Sequence, residues 1–345
     1  MWENVNFRRL LGGASKNGYR GSADFDTRDV DEVPVIFQEP FVKYGYREPH
    51  HGLTYYAKSF LELHNESLNV WTHAAAFSIL LYQSYQFCSP LDVMNDPYAL
   101  IFAIFCACCC TFLLLSAIAH LFHSHSELTH YTCWFIDYLG MSIYGFGGSL
   151  AHYYFSALPS FMHSVSWFFI PLLLVLSYGV CFCCSFAKYR YKRPYPFARK
   201  LWQLGSVGAG YVLIITPIYH RLLGCLFSDQ PMDQALFFHF LQVSFILPSI
   251  FFFAAPYPQK LQPGKYDIVG HGHQMFHVAM AFVSYYQMKA VHLDFLHRRD
   301  EYSTHTDPSM IQAILYITVL VIADIITLFV FRHKVWQNIS KVDMD

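Results

Sequence analysis

Charge is scarce in this 345-residue sequence: Asp, Glu, Lys and Arg make up 14% of it, against roughly 25% in a soluble globular protein. That shortage argues against a soluble enzyme. A formal net charge of -1 and a pI near 7.0 provide no global field for nucleic acid, which is excluded as a partner. No short apolar h-region stands near the start, so residues 1 to about 67 do not read as a cleaved leader. Also lacking are CxxC pairs at zinc-ribbon spacing and any internal repeat, and the ten cysteines fall largely inside apolar runs or at their ends. Neither a disulfide framework nor a thiolate metal site is implied. Cys181, Cys183 and Cys184 stand just before a basic segment, where buried filler and membrane-proximal palmitoylation are both open readings.

Apolar residues are abundant. They make up 54% of the chain, with 19% aromatic, and eight runs approach the roughly 20 residues that a bilayer-spanning helix needs. The runs lie at about 68–88, 98–122, 131–155, 162–186, 202–220, 234–256, 271–291 and 309–331. They predict an all-α integral membrane protein. The expected organisation is an N-terminal tail with an interfacial segment (1–67), a seven-helix core (68–291), an extracellular connection (292–308), an eighth span (309–331) and a tail (332–345). With eight spans, the termini and the even-numbered connections share 19 of the 23 Lys and Arg residues. The positive-inside rule then places both termini in the cytoplasm. On that topology the sequons at Asn65 and Asn338 are on the side that is not glycosylated.

Nineteen histidines exceed what packing requires. Ser116 and His120 are i,i+4 near the end of the second run, as are His273 and His277 at the start of the seventh, so each pair shares a helix face. Asp137 stands near the start of the third run. In an eight-span ladder these three helix ends meet at the cytoplasmic level, and polar side chains at membrane depth turn toward the bundle interior and toward one another. Imidazoles of His120, His273 and His277 make a three-nitrogen site for Zn²⁺ that leaves a fourth position for water, with Asp137 as the nearby carboxylate. An HxxxH pair alone occurs by chance, and a histidine near a span's end is often interfacial; the expectation rests on all three pieces together. His123, His125 and His130 are expected in a connection open to water, His152 and His163 toward the opposite face, and His271 off the face of His273.

Five elements in order resemble the signature of the progestin and adipoQ receptor family: Glu66-Ser-Leu-Asn69-Val-Trp-Thr72-His73, Ser116-x3-His120, His125-Ser126-Glu127, Asp137-Tyr138-x-Gly140 and Gly272-His273-Gln274-x-Phe276-His277. The likeness covers about residues 35 to 290. It implies a seven-helix bundle with zinc on His120, His273 and His277, and water near Asp137 and Ser116. The eighth run, the Gly-x-Gly-His form at His273 and the segment Phe37-x-x-Pro40-x-x-x-x-Gly45-Tyr46-Arg47 resemble the membrane progestin receptor subgroup, its alpha and beta types in particular. By resemblance the expected function is a plasma-membrane receptor for a progestin-like steroid or other lipid, acting through rapid non-genomic signalling with a G protein or adaptor as partner. Two alternatives stay open, an adiponectin-receptor-like activity and a zinc-dependent lipid amide hydrolase of ceramidase type. In the hydrolase, Asp137 would serve as general base and Ser116 as hydrogen-bonding partner.

Overall fold

The computed structural model describes residues 26–227 and 232–342. The basic residues Arg8, Arg9, Lys16 and Arg20 of the N-terminal tail lie outside the described residues. Among the described residues eleven α-helices follow in order: α1 (Leu53–Ser59), α2 (Ser67–Cys88), α3 (Pro97–Phe122), α4 (Glu127–Ala151), α5 (Pro159–Val165), α6 (Phe169–Arg190), α7 (Phe197–Phe227), α8 (Gln234–Ala254), α9 (Gly272–His297), α10 (Arg299–His305) and α11 (Met310–Val342). A π-helical turn, His152–Ser156, continues α4. The described residues contain no strand, only an isolated bridge between Arg28 and Tyr46.

A long helix stands at each of the eight apolar runs. Five of them, α3, α6, α7, α8 and α11, are long and apolar enough to cross a membrane on their own composition. The other three, α2, α4 and α9, carry buried polar side chains such as Asn69 and His73, Asp137 and Ser149, and Gln274 and His277, which dilute their hydropathy. Polarity is turned inward: Ile79, Val175, Val212, Leu247 and Phe329 are exposed, whereas His239, His277 and Asp294 are buried. This is the distribution expected of a chain whose solvent is lipid. The chain is a multi-pass membrane protein.

Several helix ends differ from the apolar pattern for local reasons. α4 begins at Glu127 rather than near 131, because Ser126 caps it by accepting from the Thr129 N–H; a polar first turn hides that start from a hydropathy reading. Asp137 therefore sits well inside α4, not at its opening. α6 begins only at Phe169, after the short α5 that Pro159 opens, in keeping with the preference of proline for a helix's first turn. α9 continues to His297 and α11 to Val342, past the apolar stretches and into charged sequence.

α3 packs against α2 and α4. Phe102, Phe105, Phe146 and Phe155 form a fully buried aromatic layer at the end of the bundle away from His120. Close approach of α3 and α4 depends on Gly147, where a Cβ would come within 2.6 Å of the Cys108 Cβ; small residues serve membrane helix contacts in this way. α11 packs on α4 and α6. Cys181 and Cys184 are buried and Cys183 is half-buried, so of these three only Cys183 offers a thiol toward the surroundings.

Candidate metal centre and cavity

α3 and α9 bring His120, His273 and His277 together. The His273 Nε2 lies 3.3 Å from the His120 Nε2 and 3.3 Å from the His277 Nε2. A nitrogen facing two other imidazole nitrogens cannot satisfy both through one proton. Two nitrogens held at about 2.0–2.1 Å on a tetrahedral zinc ion stand roughly 3.3–3.4 Å apart, so the three side chains have the spacing of a metal-ligating group.

The surrounding shell orients them. Glu66, immediately before α2, accepts from the His120 Nδ1 at 2.7 Å and from the Asn69 amide at 2.6 Å, leaving the His120 Nε2 directed at the other two histidines. Metal-ligating imidazoles have this kind of carboxylate partner on the far nitrogen. His73 stacks on His277 with ring centroids 3.8 Å apart. Arg47 reaches in from the N-terminal segment and donates to the carbonyls of His120, at 2.7 Å, and Leu121. It thereby satisfies carbonyls that the end of α3 leaves without intrahelical partners.

The start of α9 is equally constrained. A Cβ on Gly272 would come within 2.6 Å of the Tyr257 carbonyl oxygen, so glycine lets the His273 turn seat against the loop that precedes it. That loop is tied to the N-terminal segment by Asp267, whose carboxylate accepts from the backbone N–H groups of Lys43 and Tyr44 at 3.0 and 2.9 Å. Burial holds the Asp267 carboxyl above its ordinary range despite these donors.

Ser116 lies one turn before His120 on α3, and Asp137 is buried on the neighbouring α4. Both line, with His273, a cavity of about 530 Å³, within the usual range of ligand pockets. One oxygen of Asp137 is buried without a hydrogen-bond partner. The cavity extends between α4, α7, α8 and α9 to Gln203, Gln242 and Gln287, and α7 and α8 make only sparse contact along it.

Two other histidines depart from the sequence expectation. His123 and His130 are buried rather than wet. His123 lies 3.4 Å from Glu66, and the His130 Nε2 is 2.9 Å from the Lys188 Nζ. His271 is a cap residue whose Nε2 lies 2.9 Å from the Asn65 carbonyl. His152 is buried and lines the same cavity. It belongs to a second polar centre missed in the sequence, where Arg221 donates to Asp294 at 2.7 Å, the other Asp294 oxygen lies 2.9 Å from the His239 Nε2, and Gln242 joins His239 to His152. Arg221 and Asp294 stand in the sequence among other charges of the side poor in Lys and Arg, with no spacing that pairs them.

Residues 61–288 match the family described as haemolysin-III related. The chain belongs to the haemolysin-III related, progestin and adipoQ receptor family. It is 38% identical to the membrane progestin receptor beta of Mus musculus over 314 residues, covering 90% of this chain and 88% of that protein. It is 38% identical to the membrane progestin receptor alpha-B of Danio rerio, covering 79% and 77%, and 34% identical to the membrane progestin receptor alpha of Homo sapiens, covering 91% and 90%. Within the family its likeness is to membrane progestin receptors, and the matched region includes both histidine-bearing helix ends.

Proposed function

We propose that this protein is a plasma-membrane receptor for a progestin-like steroid, with zinc held by His120, His273 and His277 at the cytoplasmic end of a ligand cavity and with non-genomic signalling as its output. The observation that carries the proposal is the cavity itself, enclosed by a bundle whose relatives are membrane progestin receptors. A rigid apolar ligand suits apolar walls with a few polar groups at fixed positions. Gln203, held by the Tyr138 hydroxyl at 3.2 Å, and Gln242 are such groups.

Gly208 lines the cavity, and a Cβ there meets no atom within 4 Å. Its neighbour Ala209 is exposed. Gly208→Phe should fill ligand space and weaken saturable progestin binding roughly tenfold or more, whereas Ala209→Phe should leave it unchanged. Equal binding by the two variants would place the ligand elsewhere.

The zinc site supplies Lewis acidity when loaded, and the hydrolase reading takes its support from the position of Asp137 and Ser116 on the same cavity wall. Asp137 would accept a proton from a bound nucleophile, and the Ser116 hydroxyl would keep the carboxylate oriented. A hydrolytic step and steroid binding can coexist, since a ligand in the cavity would alter access to the histidines.

Orientation follows from the distribution of Lys and Arg. Epitope tags at either terminus should be inaccessible on intact cells and become labelled after permeabilisation. Surface labelling of an N-terminal tag would reverse the assignment.

A further inference from the structure

One rim of the cavity is ringed by four cations, of which only Arg193 has a carboxylate in contact among the described residues. Lys188 at the end of α6, Arg193 in the following connection, and Arg199 and Lys200 at the start of α7 all line it. Lys188 is only 5% exposed. Its ammonium meets His130 and lies over the rings of Trp134 and Tyr131, at 5.0 and 5.8 Å from their centroids, with no carboxylate in contact. The Arg199 guanidinium lies 3.7 Å over the Tyr195 ring. Buried Nε atoms of both Arg193 and Arg199 have no hydrogen-bond partner.

The nearby acids do not balance this charge. Glu39 meets Arg193 at 3.3 Å, Glu127 faces a shallow outer pocket shared by Lys188, Arg193 and Lys192, and Glu66 is engaged with the histidines. A desolvated cation without a carboxylate, as Lys188 is, is costly, and the half-buried Arg199 has no carboxylate in contact either. Beyond the rim the cavity walls are apolar, with Phe252, Phe253 and Phe276, and the sparse contact between α7 and α8 gives it a side facing the bilayer.

We propose that the rim binds the headgroup of an anionic phospholipid from the adjoining leaflet, with an acyl chain entering the cavity between α7 and α8. Arginine forks and a lysine ammonium match a phosphodiester, and basic pockets between membrane helices take anionic headgroups in this way. The site requires neither a steroid nor a metal.

The test uses the full chain purified in neutral detergent without steroid, mixed with phosphatidylserine or phosphatidylcholine of identical acyl chains, with retained lipid read by native mass spectrometry. The wild type should retain phosphatidylserine in preference to phosphatidylcholine. Arg193→Gln/Arg199→Gln should reduce phosphatidylserine retention roughly tenfold or more, while Lys334→Gln, at an exposed position on α11, should not. Lys188 is left intact because it is buried and packs on Trp134 and His130. Equal retention of the two lipids by wild type, or an equal loss in the Lys334→Gln control, would overturn the proposal. Displacement of phosphatidylserine by millimolar inorganic phosphate would also overturn it, by showing a small-anion site instead. Progestin binding is absent from every arm, so failure here leaves the receptor reading untouched.

Discussion

Replacing His273 and His277 together by alanine should reduce zinc in the purified protein from about one ion per chain to near background, as read by elemental analysis. The double variant keeps only the His120 nitrogen of the proposed ligands, and one imidazole does not make a site. The three ligands also tie α3 to α9, so loss of metal should lower the thermal midpoint in addition to the cost of the substitutions themselves. Glu66→Gln makes a graded comparison. It keeps the shape but weakens the carboxylate partner of the His120 Nδ1, a type of change that costs about 10- to 100-fold in metal affinity. Full zinc occupancy in the double variant would exclude these histidines as the ligands.

Asp294→Ala should be among the most destabilising single substitutions, at about 3–5 kcal/mol, because it leaves the buried Arg221 without its main counter-ion. Asp294 is wholly buried, and both its oxygens are used, one by Arg221 and one by His239. Asp233 also meets Arg221, at 2.5 Å, but its side chain is 57% exposed. Asp233→Ala should therefore cost far less. Pairing Arg221→Met with Asp294→Leu should recover part of the loss, since an unpaired buried charge is worse than none. Unfolding midpoints of the three variants and the wild type in one detergent check the order. Equal midpoints for Asp294→Ala and Asp233→Ala would show that the buried pair carries no special weight.

The helical bundle was legible because bilayer thickness fixes the length of an apolar run, and nothing but a helix satisfies the backbone within one segment. The histidine cluster was legible because i,i+4 spacing places residues on one face, and the face of α3 bearing Ser116 and His120 does meet that of α9. Polar residues placed by non-local packing were not legible. Glu66 appeared only as part of a motif, with no sign that it would reach His120 across 54 positions. Arg47 lies in an irregular segment whose path no periodicity reveals, yet it holds the end of α3. His123 and His130 sit where hydropathy predicts an aqueous connection, and folding of residues 26–66 over that end buries them. The ends of α4, α9 and α11 were misplaced for a related reason: a capped or charged helical turn is invisible to a reading that follows apolar residues.

The most direct test of a progestin receptor built on this cavity measures saturable progestin binding and hydrolysis of a ceramide-like amide on the same purified preparations of wild type and Asp137→Ala. Asp137 is not a proposed metal ligand, so both preparations should retain zinc, and with the steroid seated away from the metal-site histidines, toward Gln203 and Gln242, both should bind progestin with similar affinity. Any amide turnover should fall in Asp137→Ala by about 10²- to 10⁴-fold, the scale for losing a general base. Absence of saturable progestin binding by folded, zinc-loaded wild type, together with turnover that depends on Asp137, would contradict the receptor account and make the protein a hydrolase.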